Sequence, residues 1–366
     1  MNHTHVDFTP APRPEPVVAD GEFVIAAVGL NHPHIYGMCE ELINAGATLK
    51  WVYDADAALV DAFTRKFPQV SVASSEEQIL EDPAVHLVAS AAITSDRCAI
   101  GIRAMEAGKD YFADKAPLTT LDQLAEARDA VVRTGRKYAV YYSERVHVET
   151  AVFAEQLIEQ GAIGRVVQVV GFGPHRLNAA NRPDWFWTKE QYGGILTDIG
   201  SHNVDQILHY TGATDATVTS SAIANYANPE HPGLDDFGEA SFVTNTGASG
   251  YVRCDWFTPD GLQTWGDGRT FILGTEGFIE QRKYMNLGAD DGGGHLLLAN
   301  KGGERHFQVT GQVGYPYFGR LILDCLNRTE HAMTQEHAFK AIELAIIAQN
   351  QATELTGRAQ LQAAVS

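Results

Sequence analysis

The sequence predicts an α/β protein whose N-terminal part is a doubly wound parallel sheet and whose C-terminal part is a second α/β domain rich in strands. Three observations carry this. From Phe23 onward, short apolar runs alternate with amphipathic segments in a strand-helix rhythm. The first run, FVIAAVG, ends in Gly29, and about 25 residues later Asp54 closes the second run, a spacing familiar from nucleotide-binding βαβ units. Beyond Ala216, strand-like segments follow one another with glycine-rich turns between them.

Length and composition set the frame. A chain of 366 residues, 45% hydrophobic and 20% charged, is globular in composition and long enough for two domains. The formal net charge of -19 argues against nucleic acid or an anionic membrane as partner and in favour of a small ligand. Cys39, Cys98, Cys254 and Cys325 are scattered without C-x-x-C spacing, so neither a zinc ribbon nor a disulfide framework is expected, and a reducing cytoplasm is the simple location. No apolar run is long enough to span a bilayer. The Pro-rich residues 1–21 read as a flexible lead-in, residues 22–145 as the first domain and 146–366 as the second, with the C-terminal helix expected to pack back on the first.

Taken in order, FVIAAVG reads as a buried strand, HPHIYGMCEELINAG as a helix, TLKWVYD as a strand, ADAALVDAFTRKF as a helix and HLVASAA as a strand. A helix ending at Gly108, a strand KDYFA and a further helix complete the first domain. Such a rhythm implies right-handed crossovers and a ligand site at the carboxyl ends of the strands. In the first turn, where a dinucleotide fingerprint reads G-x-G-x-x-G, this chain has Gly29-Leu30-Asn31-His32-Pro33-His34. Asn31 replaces the second glycine as the residue best able to adopt positive φ, Pro33 suits a helix start, and His34 replaces the third glycine. Asp54 is placed to accept hydrogen bonds from an adenosine ribose, or alternatively to cap the following helix. No Arg or Lys follows it, which favours NAD over NADP. The cofactor-binding candidates are Gly29, Asn31, His32, His34, Asp54, Thr94 and Lys115.

Two later motifs carry a resemblance. The run AMEAGKDYFADKAPL, with Lys115, resembles the A-x-x-A-G-K-H-V-x-x-E-K-P segment of the Gfo/Idh/MocA oxidoreductases, and GGILTDIGSHNVDQILHYTG resembles their G-G-G-x-L-x-D-x-G-x-H-x-x-D motif. The likeness covers about Phe23 to Gly357. It implies an N-terminal Rossmann domain and a C-terminal α/β domain with an open, mostly antiparallel sheet used for assembly into a homodimer or homotetramer. It further implies a nicotinamide cofactor and redox chemistry at a secondary hydroxyl or ketone of a sugar, polyol, cyclitol or sugar acid. Lys115 matches the family's lysine, Asp198 its aspartate and His202 its histidine. The sequence departs in the glycine turn, in Asp114-Lys115-Ala116-Pro117 for Glu-Lys-Pro, and in Arg97, near where many members carry a histidine.

Asp198, His202 and Asp205, at i, i+4 and i+7, are expected on one helix face. His202 suits a general base because an unperturbed imidazole titrates near ~6.5. Asp198 would orient it, Lys115 would donate to the carbinol oxygen, and Asp205 is read as structural. No metal is expected; a zinc site from Asp198, His202 and His175 is the lesser alternative. The loop PHRLNAANRPDWFWTKEQYGG offers His175, Arg176, Arg182, Trp185 and Trp187 as a substrate wall, with Tyr142 and Arg145 from the preceding YYSER. The rival functions are an enzyme that retains NAD while cleaving or eliminating a glycoside, and a non-catalytic sugar-binding or regulatory protein.

Overall fold

The computed structural model describes residues 6–284 and 292–355. These form two compact units.

The first unit comprises Pro14–Tyr142 and Tyr315–Phe339. It runs β1 (Val24–Val28), α1 (His34–Asn44), β2 (Thr48–Tyr53), α2 (Ala57–Lys66), β3 (Ser71–Val72), α3 (Glu76–Glu81), β4 (Leu87–Ser90), α4 (Arg97–Glu106), β5 (Asp110–Asp114), α5 (Leu121–Thr134) and β6 (Tyr138–Tyr141). The strands lie in the order β3-β2-β1-β4-β5-β6 and every pair is parallel. This is the doubly wound order expected from the sequence rhythm. β1, β4 and β5 are buried at every position, as strands covered on both faces must be. Helix starts follow from side-chain caps: Asp56, Ser75 and Thr120 each accept a backbone N–H from the first turn of α2, α3 and α5. From the C-terminal part of the chain, Arg328 grips both carboxylate oxygens of Asp110 at 2.6 and 2.8 Å.

The second unit comprises residues 6–13, Ser143–Gly314 and 340–355. Its elements are α6 (Ser143–Val146), α7 (Glu149–Glu159), β7 (Val166–Pro174), α8 (Lys189–Tyr192), a π-helical turn (Leu196–Gly200), α9 (Ser201–Thr211), β8 (Ala216–Ala224), β9 (Phe237–Thr244), β10 (Ser249–Asp255), β11 (Arg269–Gly274), β12 (Gly277–Arg282), β13 (His295–Asn300) and β14 (Gly303–Gln308). Two further helices close the chain, α10 (Pro316–Asn327) in the first unit and α11 (Gln335–Asn350) across the boundary at 339/340, and β15 (Thr353–Glu354) follows. The nine-stranded sheet has the order β14-β13-β12-β11-β7-β10-β9-β8-β15. Only β7·β10 and β8·β15 pair in parallel. α9 lies on this sheet where two strand glycines leave room. A Cβ at Gly171 would stand 2.3 Å from Asn203 Nδ2, and one at Gly250 would stand 2.6 Å from Ile207 Cδ1.

The structure corrects several expectations. Residues 6–21 are tied down rather than free. Within the second unit Asp7 N donates to Gln160 Oε1 at 2.6 Å and Gly314 N to Ala11 O at 3.0 Å. Within the first, Val17 N donates to Ala45 O at 2.9 Å. Backbone donors that composition marks as loop thus find specific acceptors far along the chain. The stretch GGILTDIGSHNVDQILHY is not one α-helix, because a π-turn carries Asp198 before α9 begins. The strand read in GFIEQRKYMNLG ends at Arg282, and its residues 285–288 lie outside the described residues. β3, β13, β14 and β15 had no counterpart in the sequence reading.

If close approach of α9 holds this sheet, Gly250→Ala overpacks against Ile207 and costs about 1–3 kcal/mol in urea unfolding, and combining it with Ile207→Ala gives less than the sum of the two single costs. Strict additivity contradicts the packing.

Candidate active site

At the carboxyl end of β1 in the first unit, Gly29 turns the chain with φ +75°, and a Cβ there would stand 2.5 Å from that of Ala92. Only glycine fits this turn. Asn31 does not take the positive φ expected of it: the left-handed residue of the turn is Gly29 alone. Asp54, at the end of β2, accepts from Leu30 N at 2.7 Å through Oδ2 and from Asp56 N at 2.8 Å through Oδ1. It pins the turn, while the cap of α2 is Asp56. Each Asp54 oxygen keeps a second lone pair.

Pro33 stands at the cap of α1, and the rings of His32 and His34 meet edge to face at 4.3 Å. His34 Nδ1 lies 2.8 Å from Asp114 Oδ1 and His32 Nδ1 lies 2.9 Å from Oδ2. Thus the side chain replacing the third glycine is drawn across to β5. Asp114 is fully buried. Burial alone would raise its carboxyl pKa, but His34, Arg97 and His32 hold it well below the usual carboxylate range. Burial and the neighbouring His34 bring His32 down to about 4, against the opposing pull of Asp114.

Arg97, which the sequence offered only as a departure, organises the next turn. Its buried guanidinium donates to Ala92 O at 2.7 Å, Lys115 O at 2.5 Å and Ala116 O at 2.9 Å, and stands 3.3 Å from Asp114 Oδ2. Lys115 N donates to Asp114 Oδ1 at 2.8 Å. The lysine backbone is therefore fixed from both sides, and Thr94 is buried in the short turn before α4.

The second unit holds a recess lined by polar and aromatic side chains. His202 lines it from α9, with Asn203 and Gln206; Phe172 lines it from β7 and His175 from just after that strand, Glu144 from α6, Trp265 and Arg269 from the β11 side, and Gln281, Lys283 and Tyr284 from the β12 end. Lys283 Nζ meets Glu144 Oε1 at 2.5 Å. Burial opposes the ammonium charge, but Glu144 beside it raises the Lys283 pKa above its ordinary value. Nothing in the local sequence marks Glu144 or Lys283, which lie 139 residues apart and meet only in the fold, one on α6 and the other just after β12.

The expected substrate wall divides. His175 lines the recess. Tyr142 is wholly buried in the first unit with its hydroxyl on Ala338 O at 2.9 Å. Arg145 forms a buried two-point ion pair with Asp205 at 2.7 and 3.0 Å. Arg176 donates to Asp260, Leu262 O and Thr264 O, and Arg182 donates to two loop carbonyls over the rings of Phe186, Trp256 and Trp265. Trp187 stacks on His231 at 3.6 Å, and Trp185 stands edge-on to Phe186. These six side chains hold loops and core in place and do not line the recess. Asp198 is half-buried on the π-turn; burial lowers the Arg182 pKa, and the nearby Asp198 charge opposes that shift. Asp205 faces Arg145 and is structural.

Residues 152–280 match the GFO/IDH/MocA C-terminal domain family. A solved protein from Erwinia carotovora atroseptica SCRI1043, provisionally termed an oxidoreductase, is 49% identical with a TM-score of 0.89, covering 92% of this chain and all of that one. The chain belongs to the Gfo/Idh/MocA family. Among curated relatives of this Gfo/Idh/MocA chain, levoglucosan dehydrogenase of Pseudarthrobacter phenanthrenivorans is 28% identical over 55% of this chain and 51% of its own. The NAD(+)-dependent scyllo-inositol 2-dehydrogenase of Bacillus subtilis is 27% identical over 64% and 66%. The chain spans from about a third to two thirds of the length of the curated relatives it matches. A levoglucosan dehydrogenase solved with NADH shares the fold at 19% identity and a TM-score of 0.73, covering 90% of this chain and 98% of that one.

Removing one member of the buried Arg145–Asp205 pair leaves the other charge uncompensated. Asp205→Ala should cost about 3–5 kcal/mol in urea unfolding, and Asp205→Ala with Arg145→Met markedly less. An Asp205→Ala protein of unchanged stability contradicts the structural role.

Proposed function

We propose that this protein is an NAD-dependent oxidoreductase acting on a secondary hydroxyl, or the corresponding ketone, of a small sugar, polyol, cyclitol or sugar acid. The observation that carries the reading is His202, 2% exposed, on the wall of a recess whose other groups are amides, an ion pair and aromatic faces. Such a lining suits a polyhydroxylated ring: carboxylate, ammonium and amide groups pair with hydroxyls, while aromatic rings cover C–H surfaces. The named dehydrogenases among the relatives support the same class.

The first unit fits a dinucleotide in the two places that can be tested. The Gly29 turn is closed to any side chain, so backbone and ligand can approach closely, and Asp54 has lone pairs left for ribose hydroxyls. A carboxylate followed by Ala55 and Asp56 offers no cation for a 2'-phosphate, so NAD is preferred to NADP. When bound, the nicotinamide supplies the hydride acceptor or donor. His202 takes the hydroxyl proton in oxidation and returns it in reduction, Asp198 helps orient the reacting groups, and Lys115 donates to the carbinol oxygen as its negative charge develops. His175 holds the substrate from the residue after β7.

Assembly as a homodimer or homotetramer through the sheet is part of this proposal. Val243, Ser249, Gln168, Leu273 and Phe278 form one cross-strand row on the face opposite Gly250, and the apolar members are exposed. A cytoplasmic location accords with four buried cysteines held as thiols.

A panel of inositols, aldoses and anhydrosugars, each with NAD, tests the reading through nicotinamide absorbance. With the best substrate, His202→Ala and Lys115→Met should each lower kcat by about a hundredfold or more while circular dichroism stays that of the parent. Near-normal turnover in either variant removes that residue from catalysis; no reduction with any member of the panel contradicts the substrate class.

A further inference from the structure

We propose that His32, His34 and Asp114 form a site for one divalent transition-metal ion of the imidazole-preferring kind, such as Zn(II) or Co(II). The sequence expectation was no metal, and the case for one rests on three observations.

The first is convergence. Asn31-His32-Pro33-His34 places two imidazoles either side of a proline fixed at φ -61°, and both Nδ1 atoms reach the same carboxylate. One ligand atom from each residue lies within 4.8 Å of the others.

The second concerns the carboxylate itself. Asp114 Oδ1 is engaged by Lys115 N and by His34, each at 2.8 Å. Oδ2 is buried and accepts no hydrogen bond of good geometry. His32 Nδ1 stands 2.9 Å from it. A buried carboxylate oxygen this close to an imidazole nitrogen makes a pair of atoms that one cation can bridge.

The third is the donor set. Two imidazole nitrogens and one carboxylate oxygen are the three-ligand arrangement of open zinc and two-His-one-carboxylate sites, and they select against Mg(II) and Ca(II). His32 and His34 are 23% and 30% exposed, which leaves the remaining coordination positions reachable from solvent.

Arg97 and Lys115 are the opposing charges. Arg97 Nε and Nη1 donate to three backbone carbonyls, while Nη2 stands 3.3 Å from Oδ2 and would share that oxygen with a bound ion. The site lies at the carboxyl end of β5, beside the first turn, where this class of sheet binds its ligands. The inference uses no property of the bound dinucleotide, so it stands or fails apart from the cofactor reading.

The test uses the full chain stripped with chelator and then dialysed against Zn(II) alone, with the metal counted by mass spectrometry and Co(II) as a visible-absorption probe. One ion per chain is expected, with at least about tenfold weaker binding in both His32→Gln and His34→Gln. These partly exposed rings can be changed without emptying the core, unlike Asp114. A protein with His3→Gln and His5→Gln should bind as the parent does. Absence of stoichiometric binding overturns the site, and so does binding that survives both loop variants.

Discussion

Everything the second unit does depends on how closely α9 lies on the nine-stranded sheet. Strand positions 171 and 250 carry no side chain, so Asn203 and Ile207 descend to the backbone of β7 and β10. His202 on the same helix is buried and lines the recess that residues beside β11 and β12 also line. The Arg145–Asp205 pair ties the same helix to α6.

The first unit solves a different problem with the same economy of parts. Its turn after β1 has lost two of the three fingerprint glycines, yet the essential one remains at φ +75°, and Asp54 holds the loop through Leu30. The replacements are not passive. His32 and His34 are gathered with Arg97 around Asp114, so the residue before the family lysine becomes the centre of a buried polar cluster.

The rhythm of strands and helices through Tyr141 was legible because a parallel sheet buried on both faces imposes continuous apolar runs, and β1, β4 and β5 show them plainly. Motif resemblance singled out His202, which lines the recess, and Asp205, read as structural, pairs with Arg145. Tyr142 and Arg145 were misread because what occupies them, Ala338 and Asp205, lies 196 and 60 residues away and leaves no local trace. The π-turn at Leu196–Gly200 has no periodic signature, so Asp198 was assigned to the wrong kind of helix. Glu144 and Lys283 escaped for the same reason as Arg145: an ion pair between distant segments is written in the fold, not in spacing. The N-terminal segment was taken for free chain because prolines mark the absence of regular structure but say nothing about docking.

The central claim is that the Gly29 turn and Asp54 hold NAD despite Asn31 and His34. Calorimetric titration of the purified chain with NAD and NADP separately, after mass spectrometry has checked for carried-over nucleotide, addresses it most directly. The account predicts saturable binding of NAD at one site per chain and weaker binding of NADP; failure to bind either nucleotide contradicts it.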